Sequence, residues 1–201
     1  MTFAVTDFKA NLKQGGARPS LFMVELYYPS KVAPPPTPSK FLVKGASIPA
    51  STVGTYDVYY QGKAVKVAGD RTFDTWECTI INDEDYGIRV VLEKWMNLIA
   101  SHKLNTRRDG NQGFSTAEGQ NADYKKTIKV SQYGKDGDHK HHYHFEGAFP
   151  TALSSIALDW GTSSEIEEYT VTWTYDDWLP GGKVPSPQSV SHHIFPADRH
   201  N

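Results

Sequence analysis

The chain has 201 residues, 38% of them hydrophobic and 22% charged, which is the composition of an ordinary globular protein with a buried core. The formal net charge of −2 gives no general attraction to phosphate backbones, so a dedicated nucleic-acid binder is disfavoured. The single cysteine excludes an internal disulfide and favours a reducing cytosol. The sequence has no secretory signal and no apolar run near 18 residues, so we expect neither export nor insertion into a membrane.

Period-two alternation of side chains is the dominant pattern in the sequence and indicates β-strands. Phe22, Val24 and Leu26, for example, alternate with Met23 and Glu25. The alternation predicts strands at 22–28, 76–80, 156–160 and 169–175, and weaker ones at 41–44, 57–61, 63–68, 124–133 and 139–146. About eight strands predict a mainly β protein built as a single β-barrel or sandwich domain.

One segment follows a helical period instead. Its apolar positions are Ile88, Val91, Leu92, Trp95 and Ile99, which predict one amphipathic helix at about 84–101. Asn82 or Asp83 is a candidate N-cap, because a short polar side chain can accept a hydrogen bond from the first free N–H groups. The apolar stripe is expected to cover an open end or face of the sheet.

Three segments are predicted to lack regular structure. They are a proline-rich loop at 30–40, a polar and glycine-rich loop at 103–121, and a Pro/Gly-rich C-terminal extension at 179–201. No change of composition divides the strands into two groups. We therefore expect one β domain at 1–178 followed by the extension.

A cluster of histidines occupies the stretch DHKHHYHFEG at 138–147. In a strand, His139 and His141 would share one face, and His142 and His144 the other. The pair His139 and His141 is a weak candidate metal site whose spacing resembles the first metal motif of cupins, but the glycines around it and the second cupin motif are missing. A polar or subunit-facing strand is the preferred interpretation, and a metal-dependent barrel enzyme is the remote alternative.

Catalytic patterns are missing elsewhere in the sequence. There is no nucleophile elbow and no phosphate-binding loop, and Cys78 lies on the apolar face of its strand, as a buried and unreactive thiol would. The acidic residues at 83–85 fit the start of a helix. We predict that the protein is not an enzyme and has no cofactor, with a ligand-binding barrel as a further alternative.

The segment VAGDRTFDTWECTIINDE at 67–84 resembles the signature of the tail tube proteins of contractile-tailed bacteriophages. Five further segments are similar to that family and occur in the same order along the chain: ARPSLFMVEL at 17–26, IPAS at 48–51, YKKTIKV at 124–130, GAFPT at 147–151 and SSIALDWGTSSEIEEYTVTWTYDDW at 154–178. The resemblance covers roughly residues 15 to 178, and several colinear segments are more specific than any single motif.

The resemblance implies a β-barrel with one flanking helix, related to the tube proteins of type VI secretion. Six copies would form a ring, and stacked rings would form the inner tube of a contractile tail through which double-stranded DNA passes without specific binding. The implied partners are further copies of the chain, the sheath protein, the baseplate hub and the tail terminator. The implied location is the virion, after assembly in the host cytoplasm, and the alternative is a tube of a type VI-like or pyocin-like injection system.

The resemblance also implies where copies would meet. Residues 48–66 would form an extended loop or hairpin that reaches a neighbouring ring, and the implied interface residues are Ile48, Pro49, Ser51, Tyr56, Tyr59, Tyr60 and Arg71. Gly69, Asp70 and Arg71 would form a turn, in which Arg71 pairs within the hairpin or across subunits.

Two further expectations follow from the resemblance. The proline insert at 34–38 and the extension depart from the family pattern and are expected on the tube exterior or near the ring seam. Tyr143 and Phe145 become core residues, which leaves His142 and His144 on a polar face that is expected to be sensitive to pH.

Overall fold

A computed structural model describes residues 5–12, 16–101, 103, 124–162 and 164–181. This part of the chain is mainly β, as predicted, with nine strands, two α-helices and one short 3-10 helix. The elements in chain order are α1 (Val5–Asn11), β1 (Phe22–Leu26), the 3-10 helix (Ser39–Phe41), β2 (Val43–Ala46), β3 (Thr52–Tyr60), β4 (Lys63–Thr72), β5 (Trp76–Ile81), α2 (Gly87–Ile99), β6 (Lys126–Tyr133), β7 (His139–Leu153), β8 (Glu168–Thr174) and β9 (Asp177–Gly181). None of the helices in these ranges is long and apolar enough to cross a membrane.

The 15-residue strand β7 joins the two halves of the main sheet. The antiparallel strand order is β1-β6-β7-β8-β5-β2, and β9 also pairs with β7. The first half of β7 pairs with β9 and the second half with β8, so that β8 and β9 act as one interrupted partner strand. Gly147 lies at the junction with a φ of +65°, a conformation that favours glycine.

The main sheet does not close into the predicted barrel. Its terminal strands, β1 and β2, are not hydrogen-bonded to each other. The 3-10 helix lies at this seam, where Ser39 Oγ accepts a hydrogen bond from the Leu26 N–H at 3.1 Å. This bond satisfies an edge group that a barrel would satisfy by strand pairing.

Aromatic side chains from both halves of the sheet fill one core. Trp76 on β5 packs against Phe145 on β7 with ring centroids 4.9 Å apart, and Trp95 on α2 contacts the ring of Trp173 on β8 at 5.5 Å. The Trp95 indole N–H donates to the Tyr124 carbonyl at 2.8 Å, so the polar atom of this buried ring has a partner. The core therefore ties α2 to both halves of the sheet.

Helix α2 confirms the predicted helical stripe, because Ile88, Val91, Leu92 and Trp95 are all buried. The helix begins at Gly87 and not at 84, since Tyr86 adopts a left-handed conformation with a φ of +54°. The predicted capping role of Asp83 is present in part: its Oδ1 accepts a hydrogen bond from the Gly87 N–H at 2.9 Å. Helix α1 was not predicted, although Val5, Phe8 and Leu12 recur at helical spacing.

The strand predicted at 156–160 is wrong, because this segment belongs to the loop between β7 and β8. Asp159 starts a turn there: its Oδ1 accepts the Gly161 N–H at 2.9 Å, and its carbonyl accepts the Thr162 hydroxyl at 3.0 Å. Strand β9 extends to Gly181, three residues into the predicted extension, and residues 182–201 lie outside the described residues. The polar loop predicted at 103–121 also lies outside them, apart from residue 103.

We expect Gly147→Ala to lower the free energy of unfolding by about 2–4 kcal/mol, because a β-carbon at this positive φ would lie 2.1 Å from Asp176 Oδ2 and would displace that carboxylate from its 2.8 Å contact with Lys125. Gly137 is the matched control, since it has a φ of +80° but open space around it. Gly137→Ala should cost about 1–2 kcal/mol from backbone strain alone. Urea denaturation of monomeric protein measures both values, and equal losses would contradict the role assigned to the junction.

Candidate assembly surface

Strands β3 and β4 form a two-stranded hairpin that is separate from the main sheet. Gln61 and Gly62 connect them with φ angles of +47° and +80°, as a two-residue hairpin turn requires. Every residue of β3 is exposed, and nine residues at about 3.3 Å each give the hairpin a reach of about 30 Å. The chain thus extends a long ribbon that its own core does not cover.

The two faces of the hairpin differ in polarity. The strand register and the alternation of side chains place five apolar residues on one face, which we call the tyrosine face: Tyr56, Val58, Tyr60, Val65 and Val67. The opposite face carries the ion pair between Lys66 and Asp57, whose Nζ and Oδ1 atoms are 3.1 Å apart. An isolated two-stranded hairpin is marginally stable in water, and an exposed apolar face of this size is typical of a protein interface.

Two tryptophans fix the base of the hairpin to the main sheet. The Trp76 indole N–H donates to the Ser47 carbonyl at 2.8 Å, and the Trp178 indole N–H donates to the Ala50 carbonyl at 3.1 Å. Pro49 lies between these two carbonyls and is buried. The base is therefore held at two points by the core, although the strands themselves project away from it.

Comparison with known proteins identifies the family. A family model described as phage tail tube protein matches residues 17–180. The tail tube protein gp19 of Enterobacteria phage T4 is 32% identical over 163 residues, which cover 81% of this chain and 90% of the relative. The chain belongs to the phage tail tube protein family. Its members are structural proteins and not enzymes, so the prediction that this chain is not an enzyme is confirmed.

Two solved structures share the fold of this tail tube family member. One is a chain of the anti-feeding prophage baseplate, 6-fold symmetrised, with a TM-score of 0.58, 10% identity, and coverage of 83% of this chain and 96% of that one. The other belongs to an extracellular contractile injection system, the PVC sheath/tube terminator in its extended state, with a TM-score of 0.55, 18% identity, and coverage of 83% and 97%. At these identities the likeness concerns the fold alone.

The predicted interface residues occupy different parts of the hairpin. Tyr56 and Tyr60 lie on the tyrosine face, whereas Tyr59 lies on the opposite face, paired with Ala64. Ile48 and Ser51 are exposed near the base, while Pro49 is buried within the subunit, where it supports the base and offers little surface to a neighbour.

The turn predicted at Gly69, Asp70 and Arg71 is wrong. These residues lie within β4, where Arg71 is exposed and pairs in register with Val53. The register shifts just beyond this pair, and a β-carbon on Gly69 would lie 3.3 Å from the carbonyl of Gly54. Gly54 and Gly69 therefore permit the close approach of the two strands at a β-bulge. A tight turn also favours glycine, which is why the sequence alone suggested a turn here.

The histidine cluster lies at the start of β7 and does not place His139 beside His141. A shift in the β6–β7 register turns His139 toward His142, with ring centroids 4.9 Å apart, while His141 packs against Tyr143 at 4.7 Å. The ring centroids of His142 and His144 are also 4.9 Å apart, so that His139, His142 and His144 form one row of imidazoles. The described residues contain no group of three or more His, Cys, Asp or Glu side chains arranged to hold a metal ion, so the metal hypothesis has no support among them.

Other buried groups behave as expected of a structural core. Phe145 is fully buried, as predicted, and Tyr143 is half-buried against Trp178, with ring centroids 5.6 Å apart. Burial raises the pKa of the Cys78 thiol to about 12, and the Trp173 indole N–H donates to its Sγ at 3.3 Å. The thiol is therefore neutral at physiological pH, which agrees with the unreactive cysteine expected from the sequence.

The row of imidazoles is poorly suited to carrying charge. Burial lowers the pKa of His142, and the neighbouring histidines and Lys129 lower it further, while His142 Nδ1 is buried without a hydrogen-bond partner. Burial and then Lys129 also lower the pKa of His144, against the opposing effect of Glu146 and Glu25. Neutral imidazoles are thus favoured in the folded subunit.

The unfolded chain binds protons at His142 and His144 more readily than the folded chain does. The contribution of these two histidines to stability is therefore retained above the ordinary pKa of 6.5 and is lost as the pH falls below it. We expect the free energy of unfolding to decrease from pH 7 to pH 5 less steeply in the double variant H142Q/H144Q than in the wild type. Urea denaturation at each pH measures this difference. An unchanged slope in the double variant would contradict the assignment.

Proposed function

We propose that the chain assembles into stacked hexameric rings that form the inner tube of a contractile phage tail, the conduit for DNA ejection. The observation that carries this proposal is the tyrosine face, an apolar ribbon extended away from the core of a tail tube family member. A neighbouring subunit, in the same ring or the next, covers this face. The ring number of six is supported by the 6-fold symmetrised assembly that contains a chain of the same fold.

Burial of the tyrosine face contributes favourable free energy to such a contact. Full burial of an aliphatic or aromatic side chain contributes about 1.5–3 kcal/mol, and the five side chains of this face are already about half covered. Each hairpin contact therefore contributes on the order of 4–8 kcal/mol, before the entropy cost of association is subtracted. Repetition around a ring adds this contribution at every subunit boundary, so that weak individual contacts give a stable assembly.

The proposed tube works as a passive channel. The formal net charge of −2 gives no general attraction to phosphates, so double-stranded DNA passes without a strong electrostatic hold. The proposed partners besides further copies are the sheath protein, the baseplate hub and the tail terminator, by analogy with the sheath/tube terminator assembly that shares the fold. The proposed location is the virion, after assembly in the host cytoplasm, with the proline insert at 34–38 on the tube exterior or near the ring seam.

A tube of a type VI-like or pyocin-like injection system is the second candidate. The structural likeness to injection-system chains favours it, but that likeness rests on 10–18% identity. The sequence relationship at 32% identity is with a phage protein, and it extends over most of both chains. The phage tail is therefore the preferred proposal.

We expect Val58→Asp to prevent ring and tube formation, because it places a charge in the centre of the tyrosine face where the neighbour would have to desolvate it. Val58 does not contribute to the core, so the melting temperature of the monomer should change by only a few degrees. Negative-stain microscopy and sedimentation velocity of the purified protein measure assembly, and circular dichroism measures folding.

The matched control is Thr55→Asp, which adds the same charge to the opposite face of the hairpin and should leave assembly intact. Tyr59→Asp then reports whether the neighbour also covers this opposite face. Normal tubes from the Val58→Asp variant would refute the hairpin as the assembly surface, and wild-type protein that forms neither rings nor tubes would refute the proposed function.

A further inference from the structure

The described residues of the loop between β7 and β8, 154–162 and 164–167, present large apolar side chains to solvent. Trp160 is fully exposed, and Leu158 and Ile166 are 79% and 70% exposed. The hydrogen bonds of Asp159 to Gly161 and Thr162 define the turn that carries Trp160. A tryptophan buries up to about 250 Å² when it is covered, which makes an indole held in water a strong candidate anchor for an interface.

A cavity of matching character opens at the seam between β1 and β2. Its volume is about 280 Å³, larger than an indole ring system, and its lining includes residues of both of these unpaired strands. Aromatic and aliphatic side chains make up most of its wall. The lining residues are Pro19, Phe22, Ala46, Ser47, Ile48, Val130, Gln132 and Tyr143. The Gln132 amide supplies an acceptor of the kind that a buried indole N–H requires.

The loop and the cavity lie at opposite ends of β7. Tyr143 lines the cavity near the start of this strand, whereas the loop begins at Ser154, eleven residues further along a strand that rises about 3.3 Å per residue. The full exposure of Trp160 shows that it does not enter the cavity of its own chain. A contact between the two features therefore joins two copies head to tail, and contacts of this type propagate into rings or stacks.

The charges around the two features are complementary. The loop carries the carboxylates of Asp159 and Glu165, and the exposed Arg18 directly precedes Pro19, which lines the cavity. The cavity also includes Ile48, at the base of the hairpin, so that it is continuous with the proposed assembly surface. Opposite charges at the rim of an apolar anchor favour one orientation of the partner and disfavour others.

We propose that Trp160 of one copy inserts into the seam cavity of a second copy and anchors a head-to-tail contact between subunits. The proposal rests on the proposed function, since it specifies a second contact of the same self-assembly. The carboxylates beside Trp160 then meet Arg18 of the neighbour, and the unpaired edges of β1 and β2 are covered in the assembly.

Trp160→Ala tests the anchor directly. We expect it to raise the protein concentration needed for assembly at least tenfold in sedimentation velocity, with the melting temperature of the monomer unchanged because the indole contacts no core residue. The matched control is Phe8→Ala, an exposed aromatic residue on α1 outside the loop and the cavity, which should leave the assembly concentration unchanged.

Disulfide trapping tests the position of the anchor. A Trp160→Cys copy mixed with a Gln132→Cys copy should form a disulfide-linked dimer under a mild oxidant, whereas Glu93→Cys, on the exposed side of α2, should not link to Trp160→Cys. The native Cys78 is buried and contributes no background. If the wild type forms tubes but Trp160→Ala assembles normally, or Trp160→Cys does not link to Gln132→Cys, this inference is overturned and the proposed function is not affected. If the wild type does not assemble, that result counts against the proposed function as well.

Discussion

The structure depends on the pairing of β7 with the interrupted partner formed by β8 and β9. Strand β7 joins the two halves of the sheet, and its change of partner at Gly147 allows both halves to contribute to one core. It also places the seam near one end of the molecule and the Trp160 loop at the other. The indole of Trp178 on β9 holds the base of the hairpin, so the position of the projecting ribbon follows from the same pairing.

Apolar surface is distributed unevenly between the core and the projecting elements. Trp76, Trp95 and Trp173 are buried at the centre, where each indole N–H has an acceptor. The tyrosine face and Trp160 remain in water, because a single subunit could bury them only by bending the hairpin or the loop onto its own surface. Because exposed apolar surface is costly for a monomer, this distribution is the one expected of a chain whose final state is an assembly.

The sequence allows prediction of those elements whose patterns report burial on one face. Alternation located β1, β5 and β8, and helical spacing located α2, because each buries one face or stripe. The same alternation failed at 156–160, where an Asp159 side chain closes a turn that hydrophobicity does not reveal. Barrel closure, the bulge at Gly69 and the separation of His139 from His141 depend on register between strands distant in sequence, which local patterns do not encode. The family was predicted from the resemblance of several colinear segments, which local patterns of burial do not supply.

A tube requires two kinds of subunit contact, one that closes each ring and one that stacks the rings. A single heterologous contact generates either a ring or a filament, and only two contacts in different directions generate a tube. The hairpin projects from the body of the subunit, whereas the Trp160 loop and the seam lie at the two ends of β7. In the proposed assembly, the hairpin supplies one of these contacts and the Trp160 anchor supplies the other, and together they are the minimum set from which stacked rings can be built.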